Sequence, residues 1–304
     1  MSSAGTRLVV TGANGGVGRN LLTHAAVTPG TQAVAVVRSD RAASTLAGVR
    51  GIDVRVVAGD DAAGLAAVMQ GASSVVHLAG ILIESREATY EQANVAATAT
   101  VVAACQRAGV PHLVLVSAIG ADVHSPNRYR RSKAEGERVV ERSGLHATII
   151  RTPILLGPGS AGAAAIIRTA GSGRARLLGG GGYVMRPLDL DDLSRAILVA
   201  CDRRLPGVHV HELAGPEPIA YRDLILRAAT MMGRDVTLGA IPIWAARLGA
   251  ALRSRLTGGG ITPTVIDVIT ANEDVPHNAD ADLGITLTPL AETLAKILAG
   301  RPTT

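Results

Sequence analysis

Phenylalanine is absent from this chain of 304 residues, tryptophan occurs once and tyrosine four times. Aromatic residues make up only 2% of the chain, too few for the stacking platforms that hold single-stranded nucleic acids. The formal charge is +5, but the arginines are scattered, and the densest group (Arg128, Arg130 and Arg131) makes no basic stripe. No nucleic-acid partner is expected, and anionic cofactors account for the charge equally well. Two cysteines, Cys105 and Cys201, cannot build a disulfide framework and lie at no metal-ligand spacing. Both read as reduced core residues, and no metal is expected. No apolar run reaches the roughly 18–20 residues needed to span a bilayer. The most apolar stretch, Val95–Cys105, is short and carries threonines, so it reads as a buried helix. The first recognisable pattern begins at residue 7, so no signal peptide, no membrane span and a cytoplasmic location are expected. Lysine is almost missing as well: Lys133 and Lys296 are the only two among 30 lysines and arginines.

What is abundant is glycine and apolar sequence, the latter 47% of the chain, enough for one large core or two modest ones. Leu8, Val9 and Val10 form a short apolar run suited to a strand buried on both faces. Gly12, Gly15 and Gly18 follow at three-residue spacing, and Val17, Leu21, Leu22 and Ala25 then repeat with helical period. Strand, glycine turn and helix in this order make a nucleotide-phosphate cradle. The glycines permit the tight turn, the approach of backbone to pyrophosphate and close helix packing, and the helix N-terminus offers unpaired N–H groups.

Further strands are expected at Ala33–Val37, Val54–Val57, Val75–Leu78, Leu113–Val116 and His146–Arg151. Helices are expected at Ala62–Gln70, Glu87–Ala108 and Tyr129–Ser143. The alternation predicts an α/β fold, a Rossmann-type doubly wound parallel sheet, with its site at the carboxyl ends of the strands. Later helices are expected at Asp191–Cys201, Tyr221–Met232, Pro242–Leu252 and Leu290–Leu298. The third of these is apolar around Trp244, Ala245 and Leu248 and reads as a core helix, with a pocket wall as the alternative. Gly179–Gly182, beside Tyr183, reads as a turn, with a flexible lid as the alternative.

Twenty residues past the glycines, where an acidic residue would hold the ribose 2′-hydroxyl of NAD, stands Arg38. A guanidinium there suits the 2′-phosphate of NADP, with Arg41 as a second contact. NADP (as NADPH) is therefore the expected cofactor, and NAD, held through Asp40, the alternative.

The chemistry is concentrated in Tyr129-Arg-Arg-Ser-Lys133. One helical turn separates Tyr129 from Lys133, so both project from one face. In a chain that otherwise uses arginine, this lysine stands where a compact ammonium is wanted. A nearby ammonium favours the phenolate and is expected to lower the tyrosine pKa from about 10. Tyr129 would then exchange a proton with a carbonyl, and Ser117, at the end of the neighbouring strand, would hydrogen-bond the developing alkoxide.

Thr11 with the Gly-x-x-Gly-x-x-Gly spacing, and Ser117 with Tyr129 and Lys133, resemble the short-chain dehydrogenase/reductase superfamily in its extended and atypical branches. Tyr129-x-x-Ser-Lys-Ala-Glu-Gly-Glu137, Ala147–Pro158, Arg186-Pro-Leu-Asp189, Leu213-Ala-Gly-Pro216 and Asp282-Leu-Gly-Ile285 are similar to the branch that holds the nucleotide-binding accessory subunit of respiratory complex I and the NmrA-like proteins. Asn94-Val-Ala-Ala-Thr98 is similar to a motif of extended members that carries glycine where Ala97 stands here, and Asn94 reads as a structural polar residue near the site. The resemblance implies a catalytic Ser117, Tyr129 and Lys133, with Lys133 also on the nicotinamide ribose. It implies cofactor contacts from Thr11, Gly12, Asn14, Gly15, Gly16, Val17, Gly18, Arg38, Arg41, Asp60, Asp61, Leu78, Ala79, Gly80 and Pro153. It further implies a dinucleotide-binding domain over residues 1–156 and a smaller C-terminal substrate-binding part over 157–304, with segments around 186–214 packing back on the sheet. The expected activity is hydride transfer between NADP(H) and a carbonyl or secondary alcohol on a small, apolar molecule. A cofactor-binding sensor or assembly subunit without turnover is the alternative, then a nucleotide-sugar epimerase or dehydratase. A small-molecule substrate is the expected partner, and a homo-oligomer stays open.

Overall fold

The computed structural model describes residues 6–257 and 260–299. Seven parallel strands make the central sheet: β1 (Thr6–Thr11), β2 (Thr31–Val37), β3 (Ile52–Val56), β4 (Ser74–His77), β5 (Leu113–Ala118), β6 (Ala147–Thr152) and a seventh, Val208–Glu212. Their spatial order is Val208–Glu212, β6, β5, β4, β1, β2, β3. The chain therefore walks outward from β1 to β3 and returns to β4 on the other side of β1. The crevice at the carboxyl ends of β1 and β4 is the topological switch point, where such sheets bind ligands.

Burial on both faces explains the unbroken apolar runs. Leu8 and Val10 turn toward Leu21, Leu22 and Ala25 of helix α1 (Gly16–Val27) and toward Leu193, Ala196 and Ile197 of helix Leu190–Arg203. Val9, Val34 and Val36 turn the other way. They meet Leu65 and Met69 of α3 (Ala62–Met69), Val101, Val102 and Cys105 of α4 (Ala97–Ala108), and Val140 of α5 (Arg128–Glu141). A short helix, α2 (Asp40–Ser44), follows β2; it lacks apolar periodicity, and Ser39 caps it through the Ala42 N–H. A third, smaller apolar cluster joins Leu156, Ala163 and Ile166 to Leu224, Ile225, Ala228, Leu294 and Ile297. Aliphatic and alanine side chains fill it where other proteins would use phenylalanine. Leu188, Leu193 and Leu213 belong to the sheet core instead.

Three local expectations are corrected. The helix expected from Glu87 starts later: Glu91–Ala96 is a π-helical turn that leads into α4. The residues before it form a loop, because Tyr90 donates its N–H to Glu84 Oε1 (2.9 Å) and its hydroxyl to the Leu82 carbonyl (2.7 Å). Helix Ile243–Thr257 does not bury the residues that suggested a core: Trp244 is 71% exposed and Leu248 68%. The Tyr129 helix begins one residue earlier than its apolar pattern, at Arg128, because Asn127 is its cap. The glycine run at Gly179–Gly181 is a tight turn in which all three residues have positive φ, and Tyr183 beyond it stacks on Tyr221 with ring centres 5.5 Å apart. Among the described residues, no helix is long and apolar enough to cross a membrane.

Candidate active site and cofactor cleft

The turn after β1 is built by close approach. Gly12 has φ +72°, and a Cβ on it would lie 2.7 Å from the Ala79 nitrogen, so the β1 turn rests directly on the β4 turn. A Cβ on Gly18 would lie 2.4 Å from the Ala13 carbonyl oxygen, so α1 coils tightly against the same turn. Gly15 caps α1 without a side chain, which leaves the N–H groups of its first turn (Gly16, Val17 and Gly18) for an anion.

A cavity of about 590 Å³ opens beside this turn. It is lined by Thr11, Gly12, Asn14 and Gly15, by Arg38 and Asp60 at the ends of β2 and β3, and by Leu78, Ala79 and Gly80 after β4. Gln92, Ala93, Ala96 and Thr100 from the π-turn and α4 close the far wall. Arg38 is exposed and lies across Gly59, its Cδ 3.2 Å from where a Cβ of that glycine would be. A cation and the Asp60 carboxylate therefore share one wall. Arg41 sits exposed on α2 and is not among the lining residues. Asp61 caps α3, accepting the Gly64 N–H at 2.8 Å, and Pro153 is half-buried after β6; neither lines the cavity.

The second half of the site is made of side chains. Asn127 Oδ1 accepts the N–H groups of Tyr129 (3.1 Å) and Arg130 (3.2 Å), fixing the first turn of α5. Lys133, one turn on, donates from Nζ to the Val116 carbonyl at 3.0 Å. The next residue of β5, Ser117, is 4% exposed, and its Oγ has no hydrogen-bond partner. Asn94 ties this group together. Its Oδ1 accepts the Ile81 N–H (2.9 Å) and its Nδ2 donates to Ser132 Oγ (2.9 Å), which in turn donates to the Tyr129 carbonyl (2.8 Å). The ring of Tyr90 meets that of Tyr129 edge-on at 5.8 Å. Gly80 joins the two halves: a Cβ there would be 3.1 Å from Asn94 Oδ1 and 3.5 Å from Lys133 Nζ.

Burial sets the titration of the site. It lowers Lys133 to about 8, against a small opposing pull from Glu137. His77 falls to about 3, through burial and then the Lys133 charge, so its imidazole is neutral. His77 Nδ1 lies 2.7 Å from Thr11 Oγ1, and its buried Nε2 has no partner. Tyr129 is pushed up to about 12, mainly by burial and next by Tyr90, against Arg130. The expected lowering by Lys133 is not found, because that ammonium is directed at the Val116 carbonyl. Of the residues that build the site, Tyr90, Gln92 and Thr100 carry no sequence signal. Asn94 does, as part of a motif, but its three-way bonding does not.

A cradle that a Cβ would fill, a helix N-terminus and buried polar atoms without partners together fit a dinucleotide. The comparisons agree. A family model described as NAD(P)H-binding matches residues 12–176. A ketoreductase of Stigmatella aurantiaca, named for 4-hydroxy-2-methyl-3-oxo-4-farnesyl-3,4-dihydroquinoline-1-oxide, is 29% identical over 273 residues, 82% of this chain and 80% of that one. A ceramide reductase of Caulobacter vibrioides is 25% identical, over 88% of this chain and 83% of that protein. Subunit 9 of the NADH dehydrogenase 1 alpha subcomplex of Arabidopsis thaliana is 31% identical over 168 residues, 52% of this chain and 40% of that subunit. Among solved structures, MoeE5 in complex with UDP-glucose and NAD superposes with a TM-score of 0.75 over 97% of this chain and 98% of its own. At 22% identity that likeness concerns the fold.

Proposed function

This chain belongs to the NAD(P)H-binding family within the short-chain dehydrogenase/reductase superfamily, and from that footing we propose that it is an NADPH-dependent reductase of an apolar ketone. One observation carries the reading. The buried, unpartnered Ser117 Oγ, the ammonium of Lys133 and the phenol of Tyr129 come from one strand end and one helical turn, beside the glycine cradle. A nicotinamide held in the cleft would supply hydride to the carbonyl carbon. Tyr129 gives its proton to the carbonyl oxygen, and a phenol raised to about 12 holds that proton throughout the neutral range. Ser117 donates a hydrogen bond to the same oxygen. Lys133, charged below about pH 8 and held at the Val116 carbonyl, is placed to hold the nicotinamide ribose, and the phenolate left on Tyr129 takes its proton back from water. The Asn94–Ser132 link holds the backbone of Tyr129 in place.

Arg38 supports NADPH over NADH, since its guanidinium can pair with a 2′-phosphate at the cavity wall. The same reading divides the chain into a cofactor-binding part, 1–156, and a substrate-binding part, 157–304. For the substrate, both relatives matched over four fifths or more of their length are named as reductases, and the name of the first carries an oxo group and a farnesyl chain. The test is loss of NADPH absorbance on a panel of apolar ketones, with wild type against Tyr129→Phe. Turnover by the wild type that the variant loses is expected; equal rates would overturn the mechanism. The plant complex I relative favours a second reading, cofactor binding without turnover. It predicts no consumption of NADPH with any ketone and unchanged binding in the variant.

A further inference from the structure

Arg130 follows Tyr129 in the first turn of α5, and among the described residues its side chain makes no hydrogen bond or ion pair. Its Nε is nevertheless buried. The arginines on either side are engaged: Arg128 pairs with Glu84 at 3.1 Å, and Arg131 donates to the Ser125 carbonyl at 3.0 Å. The fold makes room for the Arg130 guanidinium. Gly120, just past the end of β5, has φ +77°, and a Cβ there would lie 3.3 Å from Arg130 Nε and 3.4 Å from its Cζ. The Ala121 N–H donates to the Ala118 carbonyl at 3.1 Å and closes this turn, so the guanidinium rests on the backbone that continues from Ser117. An arginine stays charged throughout the working pH range. A buried charged donor without a partner is costly to keep, which points to a partner that arrives from outside the chain.

Position identifies that partner. The sheet runs β6, β5, β4, β1 in space, and the cofactor cavity is lined from the β1, β2, β3 and β4 ends and α4. Arg130 and Gly120 lie beyond β5 and do not line it, so an anion at Arg130 is not a cofactor phosphate. Gly120 is three residues from Ser117, at most about 10 Å of chain. The guanidinium charge is also felt at the Tyr129 phenol, which it draws down against the larger upward push of burial. The anion therefore belongs to the molecule whose carbonyl meets Ser117 and Tyr129. Glu273 sets its charge. Burial raises this carboxyl, and the N–H groups of Arg186 (2.8 Å) and Ile154 and then the Arg130 charge lower it; no ion pair joins it to Arg130. A doubly charged phosphate would meet that carboxyl, whereas a carboxylate brings one charge and matches the guanidinium fork. We propose that Arg130 is a specificity residue that holds a substrate carboxylate, so that the ketone belongs to an oxo-acid with an apolar body. The ketone rests on the reductase reading above; the carboxylate site does not.

The full-length protein with saturating NADPH is assayed on medium-chain oxo-acids whose keto group lies a few carbons from the carboxyl. Their methyl esters and the phosphate monoesters of the matching oxo-alcohols are assayed beside them. The acid should exceed its ester ~10–100-fold in kcat/KM, the range of a charge-assisted hydrogen bond, with the difference carried by KM. Arg130→Gln should bring the two within about threefold, and Arg130→Lys should keep part of the preference. Thermal midpoint and NADPH titration show that each variant is folded. A second arm needs no turnover: decanoate, which has no ketone, is titrated into the NADP-loaded protein by calorimetry. Binding that falls roughly tenfold in Arg130→Gln supports the site even if no ketone is reduced, a failure that would count against the reductase reading alone. Equal KM for acid and ester in the wild type would overturn the proposal, as would decanoate binding that is absent or the same in the variant. A phosphate monoester preferred over the acid would overturn the choice of carboxylate.

Discussion

At the glycine turn the wall of the cleft is backbone: Gly12 lies against the Ala79 nitrogen, Gly18 against the Ala13 carbonyl, and the anion site is a row of helix N–H groups. Around Ser117 the wall is side chain: a hydroxyl, a phenol, an ammonium and an amide from three elements (β5, α5 and the π-turn), with Asn94 linked to the Tyr129 backbone through Ser132. The difference teaches how each half tolerates change. A backbone wall fails when any side chain is added, because the colliding atoms cannot rotate away. A side-chain wall fails one function at a time.

The largest effect is expected at the backbone wall. Gly12→Val adds atoms where even a Cβ has 2.7 Å, at a left-handed φ that β-branched residues avoid. NADPH binding should weaken by at least ~100-fold, with the thermal midpoint also lowered; fluorescence titration and a melting curve check both. Binding within threefold of wild type would break the contrast. Next comes Tyr129→Phe, which keeps ring and packing and removes one oxygen. It should cut turnover at least ~100-fold while NADPH affinity stays within about twofold, since the hydroxyl works in the transition state.

Arg38→Asp tests the cation at the end of the backbone wall. A charge-assisted hydrogen bond is worth about 1.5–3 kcal/mol, so the ratio of NADPH to NADH affinity should fall ~10–100-fold. A wild type that binds both cofactors equally would remove the role given to Arg38. The smallest effect is a pH dependence. For the free enzyme, kcat/KM for reduction should be flat from pH 6 to about 7.5. It should then fall toward tenfold per unit above about 8, as Lys133 loses its proton. Tyr129 adds no limb until about 12. The same residue affects stability in the opposite sense. A lysine held at about 8 folded and near 10.4 unfolded makes the unfolded chain the better proton binder between those values, so this term rises with pH across that window. Replacing Lys133 with methionine should flatten both profiles.

The two halves also differ in how far they could be read from residues alone. Gly12, Gly15 and Gly18 were legible because a backbone cradle needs glycine at fixed offsets between strand and helix. Tyr129 and Lys133 were legible because four residues make one turn of any α-helix. What escaped depends on partners far away in the chain. Lys133 was expected to act on Tyr129, but a carbonyl 17 residues back, at Val116, takes its proton donor. Asn94 reaches Ser132 across 38 residues, and Asn127 reaches Thr264 across 137. No periodicity reports such pairings. The stripe at Trp244, Leu248 and Leu252 has the period of a core helix, and period says only that a face is apolar, not what covers it.

The π-turn at Glu91–Ala96 has a consequence for which changes in chain length the protein can absorb. Such a turn holds one residue more than an α-helical turn. Deleting a single residue inside it would restore regular α-helix and lengthen α4 cleanly, a gain for the helix taken by itself. It would also rotate everything before the deletion by about 100° around the helix axis. The Asn94 amide, or whatever took its place, would then miss both Ile81 and Ser132. Insertions and deletions should therefore be found in the turn at Ser143–Gly144, but not between residues 91 and 96, where the extra residue sets the aim of the site.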